Sequence, residues 1–160
     1  MSRLNRIQSE IKQLEGGKFQ KLCDSYLYIK RNWDNIRPFG SMLGTDKTII
    51  GIPDTYHFNK KNGKYTLVMY GTRKDAVRKL TRDINDVIHK AGLPKEKIEE
   101  IICCHTSSNI SAEEDNKLRE MVAPLKLSII GIDTISFDLL NLKYQEVVRD
   151  YLNIDNSTEQ

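Results

Sequence analysis

The chain of 160 residues is poor in the residues that would assign it to a specialised class. It has three cysteines, and two of them, Cys103 and Cys104, are adjacent. An odd count with an adjacent pair argues against a disulfide framework. Consecutive strand residues point to opposite faces, and no second Cys/His cluster exists, so Cys103-Cys104-His105 does not read as a zinc site. A core strand with His105 at its polar end is the better reading. No apolar run reaches membrane-spanning length. The opening "MSRLNRIQSEIKQLEGG" has no apolar core region, which argues against a signal peptide. Charge of one sign is also scarce. Lys and Arg number 25 against 22 Asp and Glu, and a formal net charge of +3 is too weak to argue for nucleic acid alone. Internal repeats and low-complexity segments are missing. These absences leave a soluble, cytoplasmic domain, long enough to bury a core without disulfides or metals.

What is present has a clear period. "LNRIQSEIKQL" places Leu4, Ile7, Ile11 and Leu14 at helical spacing, and Gly16-Gly17 is expected to break that helix. A second helix follows, with Phe19, Leu22, Cys23, Tyr26 and Leu27 as its core-facing stripe. Tyr28 and Trp33 read as packing residues. Residues 34–48 are polar and read as a loop, in which Phe39 and Met42 stand out as apolar. "TIIGIPDTYHFNK" and "GKYTLVMYGT" then flank Asn62-Gly63, a hairpin turn signal. A helix is expected over 74–91, ended by Gly92. "IEEIICCHTSS" reads as a buried strand. Ser111 with Glu114 forms a capping box for the next helix. "LKLSIIGID" is another buried strand, with Asp133 expected to cap "TISFDLLN". A last helix covers "KYQEVVRDYL". This order predicts a central mixed β-sheet with a β-hairpin and helices on both faces. The domain is expected to span 1–152, with 153–160 a polar tail that reads as a linker cut short.

The hairpin carries the candidate chemistry. Cleaving a phosphodiester with Mg²⁺ needs hard oxygen ligands. An economical layout puts an aspartate on one strand and an acid and a lysine two residues apart on the next, sharing a face by the strand period. Asp54, after Pro53 at a strand start, fits the first position. Met69 and Gly71 hold the second pair of positions, and methionine sulfur does not replace a carboxylate for Mg²⁺. Glu15 between the first two helices, the Tyr70 carbonyl, and Arg73 or Lys74 at the strand's end are the groups that could compensate. Arg73, Lys74, Arg78, Lys79 and Arg82 form a basic run, interleaved with Asp75 and Asp83. A solvated helix face is its ordinary meaning. Its place directly after the motif strand gives phosphate contact some weight.

The stretches "LEGGKFQKLCDSYLY", "GIPDTYHFNKKNGKY", "VMYGTRK", "EKIEEIICCHTSS", "SAEEDNKLRE" and "IIGIDTISFDLL" together resemble the PD-(D/E)xK, restriction-endonuclease-like superfamily. Within it, the chain is most similar to the nuclease domains at the N-terminus of large bacterial anti-phage proteins with a nucleotide-binding core. The resemblance implies a sheet flanked by helices and Mg²⁺-dependent cleavage of DNA. Glu15 matches the family's helix acid and Asp54 its strand aspartate, which makes both the implied metal ligands. Met69 falls where relatives usually have Glu or Gln. Gly71 falls where the superfamily has lysine, though this group often has threonine. Arg73 falls where the group often has Gln, and Lys74 is the only amine near the site. Arg73, Lys74, Arg78 and Arg82 become the implied nucleic-acid contacts.

Three functions follow. The first is a metal-dependent DNA endonuclease effector of phage defence with a degraded catalytic strand. The second is a module of nuclease ancestry that binds nucleic acid without cutting. The third is a protein–protein domain that forms a homodimer or senses a phage component. In each, an NTPase or sensor region beyond the C-terminus is an expected partner.

Overall fold

The strand Ile98–His105 (β4) is buried along almost its whole length, as its apolar run requires. It lies inside a five-stranded sheet in which strand order follows chain order. The computed structural model of the chain describes residues 2–38, 54–72, 93–107 and 110–154. The other strands are Arg37–Pro38 (β1), Thr55–Asn59 (β2), Lys64–Gly71 (β3) and Lys126–Gly131 (β5). β1, β2 and β3 are antiparallel neighbours, while β3, β4 and β5 run parallel. The sheet is therefore mixed, as the element order implies. The helix expected over 74–91 lies outside the described residues, as do Phe39, Met42 and positions 155–160.

The helices Arg3–Lys12 (α1), Gly16–Lys30 (α2), Ile132–Asp138 (α4) and Gln145–Leu152 (α5) cover one face of the sheet. Ile7, Ile11, Phe19, Leu22, Cys23, Tyr26 and Leu27 pack there against Val68, Ile102, Cys104 and Ile130. The helix Ala112–Val122 (α3) covers the other face, where Leu118 and Val122 join Tyr56, Leu67, Met69, Ile101 and Leu127. α3 is also the crossover that parallel β4 and β5 need. Polar ties hold the first layer together. Gln8 Nε2 donates to Asp133 at 2.9 Å, Lys30 Nζ to Asp138 at 2.6 Å, and the Tyr26 hydroxyl to Asp138.

Several local expectations are met, and several are corrected. Ser111 Oγ accepts from Glu114 N at 3.1 Å, so the cap is formed. The hairpin turn is formed by residues 60–63, with Gly63 at φ +71 where a side chain would be strained. Asn59 and Asn62 support it by accepting from the Lys61 and Lys64 amides, both at 2.9 Å. The glycines do not break α1; they open α2, after a break at 13–15. Nothing lies within 4 Å of a Cβ built at either, so packing does not require glycine there. Asp133 does not cap α4; Gly131 is the cap residue, and Asp133 sits in the first turn. Tyr28 is exposed rather than packed. The tail begins later than expected, because Ile154 is buried in the core at 1% exposure. No helix among the described residues is long and apolar enough to cross a membrane.

One buried ion pair ties the end of α2 to the sheet. Arg31 Nη1 and Nη2 donate to the two Glu100 carboxylate oxygens, at 2.9 and 3.0 Å, and Ser128 donates to the same carboxylate. The Glu100 side chain is 6% exposed. Arg31→Ala leaves that carboxylate without its main partner, so urea unfolding is expected to show a loss of about 3 kcal/mol. An unchanged midpoint would mean that the pair contributes nothing to folding.

Candidate functional site

Asp54 stands just before β2. β2 starts at Thr55, and the Asp54 carboxylate just before it accepts the Tyr70 N–H of β3 at 3.1 Å. The Asp54 amide in turn donates to the Val68 carbonyl at 3.0 Å. The β3 backbone thus holds the acid beside the start of β2.

The carboxylate beside Asp54 comes from the middle of α2. Asp24 accepts from Thr55 Oγ1 at 3.1 Å and from the Tyr70 hydroxyl, and Thr55 Oγ1 lies 2.8 Å from that hydroxyl. Phe19 meets the Tyr70 ring edge-on, with centroids 6.5 Å apart. Burial pushes Asp24 up to about 6; the Tyr70 and Thr55 hydrogen bonds oppose the rise and the Asp54 charge adds to it. Burial likewise pushes Asp54 up to about 6, opposed by the Tyr70 amide. The Tyr70 phenol is driven well above its ordinary value, first by burial and then by the Asp24 charge. The Asp54 charge also helps to raise buried Cys103 on β4, after burial and Cys104. Two desolvated carboxylates therefore share one end of the β2–β3 pair.

Asp24 was not legible as a site residue. It lies at the edge of the apolar stripe of α2, one residue after Cys23. The one available signal was an acid flanking a core-facing stripe, and most such acids face solvent. Glu15 is exposed at the N-cap of α2 and makes no side-chain cap bond. It precedes Asp24 by nine residues, about 13 Å along a helix axis. No hydrogen bond or ion pair joins Glu15 to Asp54 among the described residues. Met69 is 1% exposed and sits in the apolar layer under α3, while half-buried Gly71 ends β3 and its carbonyl accepts from the Thr106 amide at 3.1 Å. Arg73, Lys74, Arg78 and Arg82 lie outside the described residues. Cys103 and Cys104 are buried free thiols, with Cys104 in the helical layer. Buried His105 meets Ser107 Oγ at 2.9 Å, and burial holds its pKa below the ordinary value.

As for Mg²⁺, no group of three His, Cys, Asp or Glu able to hold a metal exists among the described residues. Asp24 and Asp54 do supply two hard carboxylates whose charge is poorly solvated. That suits an ion that takes one or two carboxylates and keeps several waters. Comparison with family models, with curated proteins and with solved structures finds no match to this chain.

The raised carboxylates have a consequence for stability. Their folded-state values lie above the unfolded value of about 3.9. Below pH ~4 both states are protonated and burial carries no charge penalty; from ~4 to ~6 the unfolded chain ionises first and stability falls; above ~6 the penalty is complete. Asp54→Asn keeps an acceptor for Tyr70 and removes the charge. It is expected to stabilise the fold by about 2 kcal/mol near pH ~8 and to change little near pH ~4. Parallel stability curves for the two proteins would refute the raised value. Met69→Glu, by contrast, puts a charge into the apolar layer and should cost roughly 3 kcal/mol in urea unfolding near neutral pH.

Proposed function

We propose that this domain is restriction-endonuclease-like and acts as a nuclease-like effector in bacterial anti-phage defence, on DNA and with Mg²⁺. The observation that carries this reading is the Asp24–Asp54 carboxylate pair at the end of an antiparallel hairpin whose second strand leads into a parallel sheet. A helix acid and a strand aspartate at that point are the oxygen donors that phosphodiester cleavage requires. Asp24, rather than Glu15, is the helix acid in this reading. Asp24 and Asp54 would hold the ion, whose chemistry when bound would be polarisation of a phosphate and a more acidic water. Tyr70 and Thr55 orient Asp24, and the β3 backbone orients Asp54. β3 supplies no acid or amine beside them, so turnover is expected to be slow.

A second reading is favoured by Met69. A side chain so fully used in apolar packing leaves no room for a catalytic carboxylate. In that reading the domain has nuclease ancestry and binds nucleic acid or a protein without cutting.

Plasmid nicking in Mg²⁺ or Mn²⁺ tests the first reading, with Asp24→Asn and Asp54→Asn as controls. Slow nicking that both substitutions abolish is expected. Equal nicking by wild type and Asp54→Asn contradicts it, and no nicking at all favours the second reading. A readout besides activity is thermal: Mg²⁺ should raise the melting temperature of the wild type and leave that of Asp54→Asn unmoved, because the ion stabilises only the state that binds it.

A further inference from the structure

The far end of the sheet, where β3, β4 and β5 begin, is built from lysine and aromatic rings. Lys60 and Lys61 lie in the hairpin turn, and Lys64 opens β3. Lys95 and Lys97 are the first and last residues of a short 3₁₀ turn before β4, and Lys126 opens β5. All six are exposed. Lys60 lies 3.6 Å from Asp34, but Lys61, Lys64, Lys95, Lys97 and Lys126 form no ion pair among the described residues. Among the described residues, the exposed carboxylates in the same turns and strand starts are three, Asp34, Glu96 and Glu99, so lysines outnumber acids there. Glu100 does not reverse it, being held by Arg31.

Two grooves open at this end, on either side of the Asp34 segment. The larger, about 480 Å³, is lined by the Trp33 and His57 rings with Lys60 and Lys61, and Asp34, Glu99 and the Arg31-held Glu100 also border it. The Trp33 and His57 rings lie parallel, with an interplanar angle of 5° and centroids 4.4 Å apart. The His57 ring is fixed by a 2.7 Å contact between Nδ1 and the Asn35 carbonyl. The smaller, about 300 Å³, is lined by Phe58, Tyr65, Arg37 and, again, Lys60. Phe58 and Tyr65 are in ring contact at 4.9 Å. Each groove thus combines rings with cations, and Lys60 borders both together with its partner Asp34.

Lysines alone would suit any polyanion. Rings beside them favour a ligand that carries both phosphates and unpaired π faces. A duplex hides its base faces, and an acidic peptide has none to offer. We propose that this end of the sheet binds single-stranded nucleic acid, with the lysines taking phosphates and the rings of the grooves taking bases. This surface is separate from the Asp24–Asp54 end and does not rest on the nuclease reading.

Trp33 is the only tryptophan of the chain, so its emission reports on the larger groove. The test is titration with a fluorescein-labelled oligothymidylate of roughly 20 nucleotides, read by anisotropy, and with the unlabelled strand read by Trp33 emission. EDTA is present throughout, so that failure here is distinct from failure of the metal site. Saturable quenching is expected, with affinity that falls steeply as salt rises from roughly 50 mM. Lys60→Glu with Lys61→Glu, both in an exposed turn, should weaken binding by about tenfold or more. A duplex of equal length should bind at least about fivefold more weakly than the single strand. The proposal is overturned by absent binding, by unchanged affinity of the double variant, or by a duplex or an oligoglutamate peptide binding as tightly.

Discussion

The contact on which the candidate site depends is the meeting of α2 with the end of the hairpin at Tyr70. The Tyr70 hydroxyl donates to Asp24 and its amide donates to Asp54, while Thr55 bridges hydroxyl and carboxylate. One residue therefore positions both acids, through its side chain for one and its backbone for the other. This arrangement works only because Phe19 and the rest of the α2 stripe press that helix onto the sheet. Burial then raises both carboxylates to about 6, a cost that the hydrogen bonds offset only in part. Groups held at such a cost need a structural or a chemical reason. The structural one is clear for Asp54, whose carboxylate accepts the Tyr70 amide of β3. For Asp24 the three-way hydrogen bonding explains how the acid is held, whereas a role in binding a cation would explain why an acid is there.

Among the described residues, the carboxylates of Asp24 and Asp54 meet where β3 ends, and lysines gather where β3, β4 and β5 begin. Between them the core is layered, with Met69 and Leu67 under α3 and Val68 and Tyr70 toward α2. That layering bears directly on the catalytic strand. The face that would carry the acid of a nuclease motif is here an apolar seam, so restoring the acid by a single substitution conflicts with the fold. Arg31 with Glu100 performs the matching task at the other end, joining the last turn of α2 to β4.

Much of the scaffold was legible in the sequence because each element carries its own period or cap. The β4 run, the Asn62-Gly63 turn and the Ser111 cap are local signals, and each forms as read. The misreadings share a cause, which is that tertiary context decided them. Gly16-Gly17 looked like a stop but begins α2, since three residues suffice to turn the chain. Ile154 looked like tail but fills a core site. Asp24 looked like an ordinary surface acid because its partners, Thr55 and Tyr70, are 31 and 46 residues away. Asp54 was legible, since proline and aspartate at a strand start form a recognisable pattern. Trp33 packs against the core, as an aromatic residue after a helix implies, and it also lines a groove with His57.

The central claim is that Asp24 and Asp54 form a desolvated carboxylate pair. The most direct measurement is the titration of their side-chain carboxyl carbons by NMR between about pH 3 and about pH 8. Both are expected to titrate near 6, and Asp54→Asn is expected to lower the Asp24 value, because the neighbouring charge is gone. Titration of both near the ordinary value of about 4, with Asp24 indifferent to Asp54→Asn, would contradict it.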